Sequence, residues 1–158
     1  MPFAVVDLQG FYVRGVFIPK ELALIGNQSP VYHYTFKSSL PFFTLSECEK
    51  QQVRYLVRNH HGISYHVGQN LDYEIKDLLE NFIKAYKIDE IYVKGHNKKD
   101  FLDKLLSINI INLEHSDEKC PKLEKTLNIC SKNIHKIKPA MCAFYNTKML
   151  YKFLVKYF

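Results

Sequence analysis

The stretch Phe3-Ala4-Val5-Val6-Asp7-Leu8-Gln9 is an apolar run with one carboxylate inside it, and Gly10 follows. Its β-branched and aromatic content predicts a buried strand. A carboxylate in such a strand is costly unless it is paired, lies at an exposed end, or holds a cation. Asp7 is therefore the residue whose surroundings decide what the fold is for.

Working outward, residues 20–25 and 31–37 read as two further strands. In the latter, Tyr32, Tyr34 and Phe36 alternate with His33 and Thr35 at a period of two. Turn residues separate the three runs: Gly10 and Gly15 first, then Gly26-Asn27-Gln28-Ser29-Pro30. Three strands joined this way make an antiparallel meander. Ser46 and Glu49 form an S-x-x-E capping box that opens a helix to about residue 59, inside which Cys48 is expected to pack. A second helix spans about 71–86, with Ile75, Leu78, Leu79, Phe82 and Ile83 at helical spacing. A strand over 89–94, a helix carrying Phe101, Leu102, Leu105 and Leu106, and a strand over 109–113 follow. Pro121 suits the first turn of a helix to about residue 130, and Pro139 the start of a last one. The expected fold class is α/β: a mixed sheet of three antiparallel strands then two parallel strands, flanked by helices.

Composition sets the limits. The chain has 158 residues, enough for one domain, and 47% of them are hydrophobic, which argues against disorder. No apolar run approaches the ~20 residues of a membrane span, so no membrane partner is expected. The first strand follows the N-terminus without a basic region and cleavage site, and four cysteines do not form a disulfide framework. A reducing intracellular compartment, cytoplasmic or nuclear, is the expectation. The net charge of +6 and pI of about 9.0 favour a polyanionic partner such as nucleic acid.

The element order and four short motifs resemble the ribonuclease H-like fold, and within it the DEDDh 3′–5′ exonucleases. Asp7-Leu8-Gln9 stands where that family has Asp-x-Glu, and His61-Gly62-Ile63 where it has a His-Gly-Ile turn. Ile91-Tyr92-Val93-Lys94-Gly95-His96-Asn97 matches a strand ending in His-Asn, with Asp100 the nearest following acid. Met141-Cys142-Ala143-Phe144-Tyr145-Asn146 aligns with His-x-Ala-x-x-Asp, Met replacing His and Asn replacing Asp. The family's reaction uses two divalent cations held by carboxylates. Gln9 and Asn146 offer neutral amides and Met141 cannot serve as a base. The resemblance thus implies a degenerate site made of Asp7, Gln9, Asp100 and Asn146, with Asp72 and Asp103 as spare acids.

Cys120, Cys130, His135 and Cys142 fall within 23 residues, spaced C-x9-C-x4-H-x6-C. Thiolates and imidazole close the tetrahedral shell of a structural Zn²⁺, and this quartet is the expected zinc site. Glu114 and His115 are alternative fourth ligands. The opposing reading makes the cysteines small buried hydrophobes. His60, His61 and His66 are expected in a polar turn. With the cluster included, residues 1–158 resemble the Maelstrom domain of the small-RNA (piRNA) silencing pathway, a DEDDh-like fold with lost carboxylates and a Glu-Cys-His-Cys zinc site. Cys130, His135 and Cys142 match its Cys-His-Cys order, with Cys120 standing in for the Glu. The runs Asp7-Leu8-Gln9-Gly10-Phe11 and Tyr92-Val93-Lys94-Gly95 are also similar to insect and transposon-associated proteins. Lys94, His96, Lys98 and Lys99, with Lys104 and the lysines from Lys119 to Lys138, are the candidate phosphate contacts. The resemblance implies a pseudo-nuclease that binds single-stranded nucleic acid, RNA foremost, with protein partners in a silencing or transposon-related complex. Competing expectations are an active ribonuclease, metal-dependent or not, and a protein-interaction scaffold.

Overall fold

The computed structural model describes residues 2–27, 29–114 and 120–157. Its centre is a long hairpin, β1 (Phe3–Val13) and β2 (Val16–Gly26), joined by a two-residue turn. Arg14 and Gly15 both take positive φ, 54° and 74°, the geometry that matches the twist of paired strands. Arg14 tolerates this conformation while its guanidinium donates to Glu49 and to the Thr44 carbonyl. The sequence reading ended the first strand at Gln9. The chain instead continues through Gly10 with a bulge: Gln9 pairs with Glu21 and Gly10 with Pro19, leaving Lys20 as the extra residue. Gly10 is required there because a Cβ would stand 2.1 Å from the Ile18 carbonyl oxygen.

Around the hairpin the sheet runs β4-β3-β2-β1-β5-β6. β3 (Tyr32–Lys37) is antiparallel to β2, while β5 (Glu90–Val93) and β6 (Asn109–Asn112) extend the other edge in parallel. The meander and the two parallel strands are as the periodicity implied. Leu71, the expected start of a helix, lies instead in the short β4 (Asn70–Leu71), parallel to β3. A 3-10 turn over Asp72–Glu74 intervenes before α2 (Ile75–Tyr86) begins.

Alternation along β1 divides the core in two. Ala4, Val6 and Leu8 face α2 and α3 (His96–Leu105), packing with Leu79, Phe82, Ile91 and Leu102. Burying Ile75, Leu79 and Phe82 of α2 contributes roughly 5–8 kcal/mol of gross transfer free energy. Val5 and Asp7 face the opposite way, towards α4 (Ala143–Tyr157), whose Leu150, Phe153 and Leu154 pack on Val5. α1 (Glu47–Asn59) starts with the expected capping box and covers Phe11, Val13 and Ile18 in the far half of the hairpin. Cys48 on α1 is exposed rather than packed.

Two helix expectations fail near the C-terminal end. Residues 121–130 hold no helix, because Thr126 bridges antiparallel to Ala140, drawing both segments into extended chain. Asn128 N–H donates to the Thr126 hydroxyl, a local bond that competes with helix. The last helix consequently starts at Ala143 and not at Pro139. Among the described residues, no helix is long and apolar enough to cross a membrane.

Candidate functional site

Two adjoining constellations lie on the α4 face of the sheet. The first forms around Glu21, which the bulge at Lys20 holds inward and fully buried. One oxygen of Glu21, Oε1, accepts the Ala143 N–H at 2.8 Å, so the carboxylate caps α4 and meets its positive dipole end. The other, Oε2, lies 2.7 Å from His33 Nε2, 3.2 Å from His135 Nε2 and 3.6 Å from Cys142 Sγ. Ligand atoms of Glu21, Cys130, His135 and Cys142 all lie within 4.8 Å of one another, a group that can hold a metal ion.

This corrects the fourth member of the quartet. Cys120 sits in the apolar cluster of Val5, Leu113, Leu150 and Phe153, where a thiol packs as a small hydrophobe. Glu114 accepts the His96 N–H and plays no part in the cluster; His115, like Lys119, lies outside the described residues. Glu21 escaped the sequence reading because it follows Lys20 at what looked like a strand's polar start. The available signal was two adjacent charges embedded between Phe17-Ile18-Pro19 and Leu22-Ala23-Leu24.

The donor set meets the demands of a closed tetrahedral site, whose ligand–ligand edges are about 3.3–3.8 Å. Outer contacts fix its geometry. His135 Nδ1 donates to the His61 carbonyl, which turns Nε2 towards the other three ligands. His33 bridges Glu21 to Ser131, the residue after Cys130. Burial would raise the Glu21 pKa, yet hydrogen bonds from His135 and His33 hold it down at about 2. The Cys142 thiol, with His135, holds Cys130 down at about 4 against the effect of burial, while Cys142 itself is pushed up. Burial lowers and the Cys130 and Glu21 hydrogen bonds raise His135, to a net value of about 10. These contacts favour the anionic forms of Glu21 and Cys130 and the protonated form of His135, so a cation binding there would displace the His135 Nε2 proton.

The second constellation surrounds Asp7, which is wholly inaccessible to solvent. Lys98 Nζ stands 2.5 Å from Oδ1, while Asn146 Nδ2 and Gln9 Nε2 donate to Oδ2 at 2.9 and 3.3 Å. Of the four degenerate positions, Asp7, Gln9 and Asn146 converge. Asp100 does not: it faces His96 at 3.2 Å on the exposed side of α3. Asp103 pairs with Lys99, and Asp72 accepts the Ser39 N–H. Met141 donates its backbone N–H to the His60 carbonyl. Four of the candidate phosphate contacts are engaged within the chain: Lys98 with Asp7, Lys99 with Asp103, His96 with Asp100, and Lys94 with the Pro121 carbonyl.

Within the turn after α1, His66 is exposed, whereas His61 is a structural anchor. His61 is fully buried; its Nδ1 accepts the Ile63 N–H, so Nε2–H donates to the Gly10 carbonyl at 3.1 Å. Burial pushes its pKa down to about 3. His60 is half-buried and lowered by burial and by the Lys125 and Lys98 ammonium groups, with Asp7 acting oppositely. Lys20, also fully buried, donates to the carbonyls of Phe36, Tyr65 and Val67 at 2.5, 2.9 and 2.7 Å, tying the turn to the sheet.

No protein-family model, curated protein or solved structure matches this chain.

Proposed function

We propose that this protein is a catalytically silent member of the DEDDh exonuclease-like group, similar to the Maelstrom domain, that binds single-stranded nucleic acid. The observation that carries the silent half of the reading is the Lys98–Asp7 contact. A two-metal nuclease needs several carboxylates around its cations. Here one carboxylate remains, and an ammonium group with two amides already saturates it. The mixed sheet with α4 across the Asp7 face supports a ribonuclease H-like architecture.

The Glu21, Cys130, His135 and Cys142 group is assigned to a structural Zn²⁺, which would tie β2 to the segment entering α4. Two thiolates and an imidazole favour zinc over magnesium or calcium, and four protein ligands leave no open position for substrate. RNA is the favoured polyanion, on the +6 net charge and on the Maelstrom likeness.

The test is fluorescence anisotropy with a labelled single-stranded RNA, in EDTA and in Mg²⁺, followed by a denaturing gel. Binding that is indifferent to Mg²⁺ and leaves the strand intact is expected. Cleavage abolished by Asp7→Ala would establish a nuclease instead, and absence of binding would favour a protein-interaction scaffold.

A further inference from the structure

Lys94, His96, Lys98 and Lys99 are occupied with internal partners, which directs attention to two arginines that are not ion-paired among the described residues. Arg54 and Arg58 lie four residues apart on α1 and so share one exposed face. With Gln51, Tyr55 and Asn59 they line an open hollow of about 510 Å³ that no acidic side chain enters. Neither arginine makes an ion pair among the described residues; Arg54 only stacks its guanidinium 5.9 Å from the Phe42 ring centre. The helix's two acids are held elsewhere, Glu47 near Lys50 and Glu49 by Arg14. Tyr55 is 63% exposed beside the arginines, an aromatic face without a packing role.

The positive track continues past the end of the helix. Lys125 donates to the Asn59 carbonyl, placing its ammonium next to Arg58's turn. Guanidinium groups four residues apart beside an aromatic ring fit a strand that offers phosphates and unstacked bases in alternation. A duplex hides its base faces and has no use for Tyr55.

We infer that the α1 face formed by Arg54, Tyr55 and Arg58 is the seat of a single-stranded nucleic acid. Phosphates sit on Arg54 and Arg58, and one base stacks on Tyr55. This inference rests on the nucleic-acid reading proposed above and gives it a location distinct from Lys94, His96, Lys98 and Lys99.

The experiment is binding of a labelled single-stranded RNA across a salt series by the wild type, Arg54→Gln/Arg58→Gln, Tyr55→Ala and Lys99→Gln. Each phosphate contact contributes about 0.7 to the slope of log affinity against log salt, so the double variant loses about 1.4. Tyr55→Ala binds about tenfold more weakly with the slope retained, through loss of stacking. Lys99→Gln binds as wild type, and thermal melting confirms that all the variants fold. Wild-type binding with an unchanged slope in Arg54→Gln/Arg58→Gln overturns the location and leaves the nucleic-acid reading standing. No binding by the folded wild type overturns both.

Discussion

Lys98 is the counter-ion of Asp7: the ammonium reaches 91 positions back along the sequence, from the first turn of α3, to a carboxylate with no solvent exposure. A buried charge stripped of its partner is heavily penalised, whereas a neutral pair is tolerated. Lys98→Met is therefore expected to destabilise the fold by about 3 kcal/mol. Adding Asp7→Asn to that variant should restore much of the loss, because Asn can still bond Asn146 and Gln9. Urea unfolding of the two variants checks this, and a double variant no more stable than Lys98→Met would refute the counter-ion role.

The metal assignment separates Glu21 from Cys120. Elemental analysis of purified protein should give one equivalent of zinc in the wild type and in Cys120→Ala. Glu21→Gln, Cys130→Ser and His135→Ala should each bind it at least tenfold more weakly or lose it. Zinc retained by Glu21→Gln and lost from Cys120→Ala would reverse the assignment.

Lys20→Met removes three hydrogen bonds to main-chain carbonyls at once. Each buried acceptor left unpaired costs about 1–3 kcal/mol, so a loss of at least about 3 kcal/mol is expected. Hydrogen exchange should quicken first in residues 63–69, which Lys20 tethers to β3. A uniform rise across the sheet would instead mean that Lys20 supports the bulge alone.

Acidification should unfold the protein through His61. Its folded pKa of about 3 lies below the ordinary value of 6.5. Between those limits the unfolded chain binds the extra proton, so the His61 contribution to stability falls as pH drops from about 6.5 to 3 and is constant above. In His61→Gln the decline between pH 6.5 and 5 should be shallower; denaturant midpoints at successive pH values give the comparison.

The Asp7 strand was legible as a short apolar run, and the third strand by its period of two, both bounded by turn residues. The limits of the hairpin were not, since Gly10 in mid-strand looks the same as Gly10 in a turn until Ile18 is seen against it. Three of the four metal-centre residues were legible because Cys130, His135 and Cys142 are close together in sequence. Glu21 comes from a different element, and only the bulge brings its side chain to them. The helix expected over 121–130 rested on Pro121 alone, with no apolar period behind it, and the pairing of Thr126 with Ala140 overrode it. Lys98 was legible as a cation, but its engagement with Asp7 depends on how α3 is set against β1.

The donors of the proposed zinc site are unequally spaced along the chain. Cys130, His135 and Cys142 can gather on an ion through loops of a few residues, whereas Glu21 closes a circuit of 121 positions to Cys142. Loop closure grows only slowly more costly with length, yet that last circuit exists only when the hairpin and α4 have docked. A nascent or damaged chain can therefore hold the ion by three ligands and still lack the fourth. Spectroscopy of a cobalt substitute, which distinguishes three protein ligands from four, would read out whether the two ends of this domain have met.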